Sequence, residues 1–434
     1  MPEILHAGQI VPSATHTRMF TILPRAADFR ASPGGLVRDV VASLTVAVVA
    51  LPLALGFGLT SGMSAAAGLT TAIIAGFLAA LLGGSRYQVS GPTGAMTVVL
   101  IPIIHLYGTQ AIPLLGLLAG AMVVLMGFAR LGGVINRIPD SVVEGFTVGI
   151  ACVIALQQLP LALGIPKGAG EQSMVVAFNT LHDAIAQGVD WQTVAMVVLT
   201  LLVKFSYPVL ARRLKFRVHV PPSFVAILVA LLVAQTGLIH TSSIGDIPRE
   251  IGHWQGADLG LGNISHLVWP AFLIALLCAI ESLLSARVAD SMVGATNGER
   301  YEPDRELFGQ GAATMLASLF GGMPATGAIA RTSVNVRAQA QTRLSAMLHA
   351  VVLVVIALAA GPWVAKIPGA AIAGVLLGTS YRILNPQALK RSLQTTRGQA
   401  AVLLLTATAT LAIDLIWGIA IGLALYAVLA WREK

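Results

Sequence analysis

Between residues 40 and 431 the chain is a succession of apolar runs, most of them near the length a helix needs to cross a bilayer. A hydrocarbon core of roughly 30 Å takes about 20 apolar residues at 1.5 Å each. Runs at Val40–Leu59, Ser64–Leu82, Ala111–Ala129, Val142–Leu163, Thr193–Leu210, Pro222–Leu238, Leu267–Ala286 and Leu344–Val364 meet this or approach it. Shorter runs at Thr93–Leu106, Leu307–Phe320, Thr326–Gln341, Gly369–Arg382, Ala400–Ile413 and Leu415–Trp431 bring the total to about 14. Backbone donors and acceptors in lipid must find partners within the chain, which restricts such segments to helices. The expected class is an all-α polytopic membrane protein. Composition agrees, with 56% apolar and only 11% charged residues, where soluble domains carry about 25% charge. Residues 1–35 read as a polar tail without the apolar stretch of a signal peptide. Gln172–Gln187 reads as an amphipathic surface segment.

Two stretches break the pattern in the same words. In Leu319–Asn335, Gly321, Gly322 and Pro324 interrupt any helix. A helix restarting at Thr326 and running to about Gln341 would be ~24 Å long, too short to span. Earlier, Leu81-Leu82-Gly83-Gly84 precedes Ser90-Gly91-Pro92-Thr93-Gly94-Ala95. Thr-Gly-Ala thus occurs at Thr93 and again at Thr326, 233 residues on, about half of the 434-residue chain. Gly/Pro-interrupted apolar segments at matching places in two halves mark a transporter's binding site.

Charge placement orients the halves. Of the 27 Lys and Arg, only Lys167, Arg249 and Lys366 fall in connections on one side. Lys204 and Arg331 lie within segments, and the rest fall in the termini and opposite connections, including Arg130, Arg137, the cluster Arg212–Arg217, Lys390, Arg391 and Arg397. Basic residues favour the cytoplasm, so both termini are expected there, in a plasma (inner) membrane. The basic balance is therefore a topology signal, and no nucleic-acid partner is expected. An even division gives seven segments per half, over about residues 36–240 and 260–431, related as an inverted repeat. Segments 3 and 10 would be short half-helices meeting at the midplane. Their first-turn N–H groups would make an anion site of the two Thr-Gly-Ala phrases: Thr93, Gly94, Ala95, Thr326, Gly327 and Ala328. Small residues there would let an anion approach the backbone.

Few residues could carry chemistry inside the membrane. Glu281, within the eighth apolar run, is a costly carboxylate and a candidate proton carrier. Arg331 offers a fixed charge and a planar fork suited to an oxyanion. Pro52, Gly56 and Gly58 suggest a broken first segment, with Phe57 as an apolar wall of the cavity. Glu144 reads as a first-turn acid favoured by its helix dipole. The acids Asp290, Glu299, Glu302, Asp304 and Glu306, with Arg300 and Arg305, read as a solvated connection between segments. Cys152 and Cys278 lie in apolar runs, and no His spacing suggests a metal. No phosphate-binding loop or nucleophile elbow appears, so no cofactor and no enzymatic activity are expected.

With these residues the chain resembles the sulfate permease family of anion transporters. The match runs through Ser90–Thr93, Glu281–Ala286, Val288–Asp290, Glu306–Gly311 and Leu319–Asn335. Arg305 and Ala313 stand where the family often has Asn. The resemblance implies a core and a gate domain, usually in a homodimer, with an anion held between segments 3 and 10. Segments 1 and 8 would flank it, which adds Ser282 to the candidate site beside Phe57 and Arg331. Family members usually continue into a cytoplasmic STAS domain, and the chain ends at Trp431–Lys434 without one. Its transport domain is thus expected over 36–434. The expected function is secondary active transport of a dicarboxylate, bicarbonate or sulfate by alternating access, as symport with a proton or with Na⁺. The alternatives are an anion channel or voltage-responsive protein, and a proton-coupled nucleobase transporter, which would leave Arg331 without a role.

Overall fold

The computed structural model describes residues 24–432 apart from 31, 33, 136–137, 171, 215–219, 245–251, 257–258, 260–261, 263, 295–299, 385, 395 and 414. Most of the expected tail, Arg137, Lys215 and Arg217 of the basic connections, Arg249 and Glu299 lie outside the described residues. A 3-10 turn, Ala26–Phe29, precedes α1 (Gly35–Thr60), α2 (Ala65–Leu82), a two-residue strand β1 (Ser90–Gly91) and α3 (Gly94–Tyr107). Then come α4 (Ile112–Phe128), α5 (Gly132–Ile135), α6 (Asp140–Gln157), α7 (Leu159–Leu163), α8 (Ser173–Gln187), α9 (Trp191–Arg213) and α10 (Pro222–Gln235). The second half holds α11 (Ile264–Val293), α12 (Pro303–Leu319), strand β2 (Thr326–Gly327), α13 (Ile329–Arg337), α14 (Leu344–Val364), α15 (Gly369–Leu384), α16 (Pro386–Leu393), α17 (Arg397–Ala412) and α18 (Leu415–Arg432).

Among the described residues, seven stretches are long and apolar enough to cross a bilayer by length and composition: α1, α2, α4 with its leading turn, α6 with α7, α9, α11 and α14. Large apolar side chains such as Leu125, Leu202, Leu232, Trp269 and Val355 face outward, as a lipid solvent requires. Local chemistry starts several helices. Ser64 caps α2 by accepting from the Ala67 N–H at 3.1 Å, and Thr396 accepts from the Gln399 N–H at 3.3 Å at the head of α17.

The helices pack in two groups. In one, α12 lies against α4 and α2, α14 against α1 and α2, and α11 against α4. In the other, α17 packs on α6 and α18, and α15 on α9 and α6. The short α3 touches both, through α11 and α6. At one end of the first group, Asp28 of the N-terminal turn pairs with Arg305 of α12 at 2.8 Å and with Arg343 at 3.4 Å. Arg343 also donates to the carbonyls of Ala80, Leu81 and Gly83, closing the C-terminal end of α2.

Three expectations are corrected here. The first segment is not broken, because α1 runs without interruption through Pro52, Gly56 and Gly58. The expected helix from Thr326 starts only at Ile329 and ends at Arg337, since Thr326 and Gly327 are drawn into a strand pair with the first half. Arg305 and Glu306 are not solvated loop residues. They occupy the first turn of α12 and are almost completely buried.

Candidate functional site

Both breaks place extended backbone in the interior, where unpaired N–H and C=O groups are costly. They satisfy each other. Strands β1 and β2 pair antiparallel, Ser90 opposite Gly327 and Gly91 opposite Thr326, and the Ala328 N–H donates to the Val89 carbonyl at 2.9 Å. The ladder brings the two Thr-Gly-Ala phrases together, with the Thr93 and Thr326 hydroxyls 3.1 Å apart. Both reach Glu281 of α11: Thr326 Oγ1 lies 2.6 Å and Thr93 Oγ1 2.9 Å from the same carboxyl oxygen, Oε2. On the next residue of α11, Ser282 Oγ accepts from the Gly327 N–H at 3.1 Å.

Phe57 joins this cluster from α1. A Cβ at Gly94 would stand 3.3 Å from its ring and 2.2 Å from Ile154 Cδ1, while one at Gly327 would stand 2.3 Å from Gln88 Nε2. Protein atoms therefore already crowd both places, so that any larger residue would have to displace the Ile154 or Gln88 side chain, a reason for glycine the sequence did not supply. Ala95 and Ala328 are buried beside them. Arg331, in the first turn of α13, is also buried. Its Nη2 donates to the Pro92 carbonyl, crossing from the second half to the first. Its Nη1 has no hydrogen-bond partner among the described residues and lies 2.5 Å from where a Cβ on Gly91 would sit, so a glycine makes the room. Arg331 makes no ion pair with Glu281 among the described residues.

Sequence reading passed over a second polar layer behind these residues. Glu306, Gln310 and Thr314 recur every fourth residue on α12 and so share one face. Glu306 accepts from the N–H groups of Gly84 and Ser85, each at 2.8 Å, and from Gln88 Nε2 at 2.6 Å. Gln310 accepts from Ser90 Oγ at 2.6 Å and donates to the Ala325 carbonyl at 3.0 Å, where Thr314 donates too. On α13, Thr332 accepts from the Val89 N–H at 3.0 Å, and Asn335 donates to the Tyr87 carbonyl at 2.9 Å. The detectable signal was the spacing of four among polar residues in a helix flanked by apolar ones. Glu144 stands apart from this site. It is the fifth residue of α6, beyond the first turn where it was expected, and accepts from Ser392 at 2.7 Å.

The profile of the Sulfate permease family matches residues 36–406. YvdB of Bacillus subtilis, named provisionally as a sulfate transporter, is 35% identical over 393 residues, covering 89% of this chain and 72% of the relative. The bicarbonate transporter BicA of Picosynechococcus is 31% identical over 398 residues, 88% of this chain and 68% of the relative. The solved transmembrane domain of a cyanobacterial BicA superposes with a TM-score of 0.77 at 29% identity, covering 89% of this chain and 97% of that one. A profile match across most of the chain, relatives above 30% identity and a shared membrane fold lead to one conclusion: this protein belongs to the sulfate permease family.

Proposed function

We propose that the protein is a secondary active transporter that carries a small anion together with a proton by alternating access. Its relatives are named for sulfate and bicarbonate, which makes these the first substrates to test, followed by a dicarboxylate. The carrying observation is the triangle of oxygens formed by Glu281 Oε2, Thr93 Oγ1 and Thr326 Oγ1, with edges of 2.6, 2.9 and 3.1 Å. The two hydroxyls bring one proton each, enough for two of the three contacts. A proton on Glu281 supplies the third and closes a ring. The same proton removes the negative charge that would repel an anion at Arg331 and the starts of α3 and α13. Two unit charges ~5 Å apart at an effective dielectric of ~20 repel by roughly 3 kcal/mol. Loading of anion and proton would therefore be linked.

In this reading the fourteen segments form a seven-plus-seven inverted repeat. The group of α1, α2, α4, α11, α12 and α14, with α3 and α13, acts as the core, and the group around α6, α9, α15 and α17 as the gate. Phe57, Thr93, Gly94, Ala95, Ser282, Thr326, Gly327, Ala328 and Arg331 line the anion's place. The protein sits in the cell's inner membrane as a homodimer with both termini cytoplasmic. The test is flux into proteoliposomes under imposed pH or Na⁺ gradients with sulfate, bicarbonate and dicarboxylates. An inward proton gradient should drive accumulation in wild type. In Glu281→Gln that accumulation should disappear while anion exchange at symmetric pH persists. Uphill uptake of undiminished size in Glu281→Gln, or accumulation driven by Na⁺ alone, would overturn proton coupling.

A further inference from the structure

The ladder between the two halves is only two residues long on each strand. A strand pair so short does not define its own register, and a slip of one residue would turn each side chain to the opposite face. Thr93 and Thr326 meet at Glu281 only in the observed register, so something outside the ladder must hold it. Gln310 touches both sides. Its carbonyl oxygen accepts from Ser90 Oγ, on the first-half strand, at 2.6 Å. Its amide donates to the carbonyl of Ala325, the residue before the second-half strand, at 3.0 Å. The side chain is completely buried, on a helix fixed one turn earlier by Glu306 and one turn later by Thr314.

We propose that Gln310 is a positioning residue for the anion site, setting the register of β1 against β2 and with it the meeting of Thr93, Thr326 and Glu281. This rests on the transport reading above for its functional consequence, and on geometry alone for its structural one. The position needs an acceptor and a donor at once, which a glutamine supplies at every pH. A glutamic acid supplies both only while protonated. Once ionised it still accepts from Ser90 but turns a negative oxygen toward the Ala325 carbonyl. The charged or titratable groups around its contacts are Cys278 on α11, whose thiol donates to the same Ala325 carbonyl at 3.2 Å, Glu306 on α12, Glu281 on α11, Arg331 on α13 and His349 on α14. His349 Cε1 lies 2.8 Å from where a Cβ on Gly76 would stand, with the Ser90 carbonyl beside it.

The experiment is therefore Gln310→Glu, compared with wild type at each pH so that the pH response of Glu281 cancels. Two readouts are taken: the apparent KM for sulfate or bicarbonate in exchange at symmetric pH, and hydrogen exchange of the peptide containing Gly327 and Ala328. The KM ratio of variant to wild type should be near one at the acid end of the series, where the new carboxyl is protonated, and should rise about tenfold or more at the alkaline end, once it is ionised. The excess exchange at Gly327 and Ala328 should rise in parallel. Ratios that are large already at the acid end, or that stay flat in folded protein although infrared spectroscopy shows the new carboxyl to have ionised, would refute the positioning role. Should the carboxyl not ionise, or Gln310→Glu not fold at any pH, Ser90→Ala decides, since it removes one hydroxyl. A several-fold rise in KM with Vmax retained supports the proposal, and an unchanged KM refutes it. A wild type that moves none of the anions defeats the transport reading alone, because the exchange readout still tests Gln310.

Discussion

Arg331 is the residue whose surroundings say most about the site. Its guanidinium is buried, bonds the Pro92 carbonyl through Nη2 and leaves Nη1 without a partner among the described residues. A buried donor left unmet costs about 1–3 kcal/mol, and an arriving oxyanion would meet it with a charge-assisted bond. Arg331→Ala should raise the KM for sulfate or bicarbonate about tenfold or more, without loss of the folded protein in size-exclusion chromatography. Arg331→Lys should recover part of this, keeping the charge but lacking the fork. Wild-type KM in Arg331→Ala for every anion moved would return the residue to a purely structural role, that of tying α13 to Pro92.

At the scale of elements, the short α3 and α13 with their facing strands form the part most sensitive to bulk. Ala328 is buried at the junction of β2 and α13, and its N–H is held by Val89. Ala328→Leu should cost about 1–3 kcal/mol by overpacking. It should abolish transport while thermal unfolding in detergent remains cooperative, and full transport by this variant would place the anion elsewhere. These elements were also the most legible in the sequence. Gly321, Gly322 and Pro324 announce the break, and the echo at Thr93 and Thr326 can be compared directly with hydroxyls 3.1 Å apart. The second helix restart was misplaced because a propensity argument cannot see that Thr326 and Gly327 pair with a strand more than two hundred residues away. Gln88 and Thr314 went unread, and Ser90 and Gln310 were read only as parts of matching motifs, for a related reason. Each looks unremarkable alone, and their value lies in partners contributed by the other half. The unbroken α1 shows the reverse error, since Pro52 is tolerated once neighbouring helices enclose it.

At the scale of the whole molecule, the first packing group is fastened at one end by Asp28, whose partners Arg305 and Arg343 are almost fully buried. Burial pushes the Asp28 carboxyl up, but the Arg305 hydrogen bond, the Arg25 N–H and the charges of Arg343 and Arg305 outweigh it and hold the group below its usual range. A depressed folded value means the stabilisation is complete above the ordinary carboxylate value near ~4 and is lost as pH falls through the folded one. Asp28→Asn should therefore destabilise the protein by roughly 3 kcal/mol at neutral pH, as breaking a buried pair does. The difference from wild type in unfolding temperature should shrink below about pH 4, and a difference independent of pH would assign the effect to packing. The two-stranded ladder, finally, has a consequence for how the protein is made. Gly327 follows its partner Ser90 by 237 residues, which at about 5–20 residues per second takes a ribosome roughly 10–50 s. For that interval the first strand waits in a half-built bundle with open hydrogen-bonding groups. Insertion machinery or transient water must shelter it until the second half arrives, which makes the proposed anion site one of the last parts of the protein to mature.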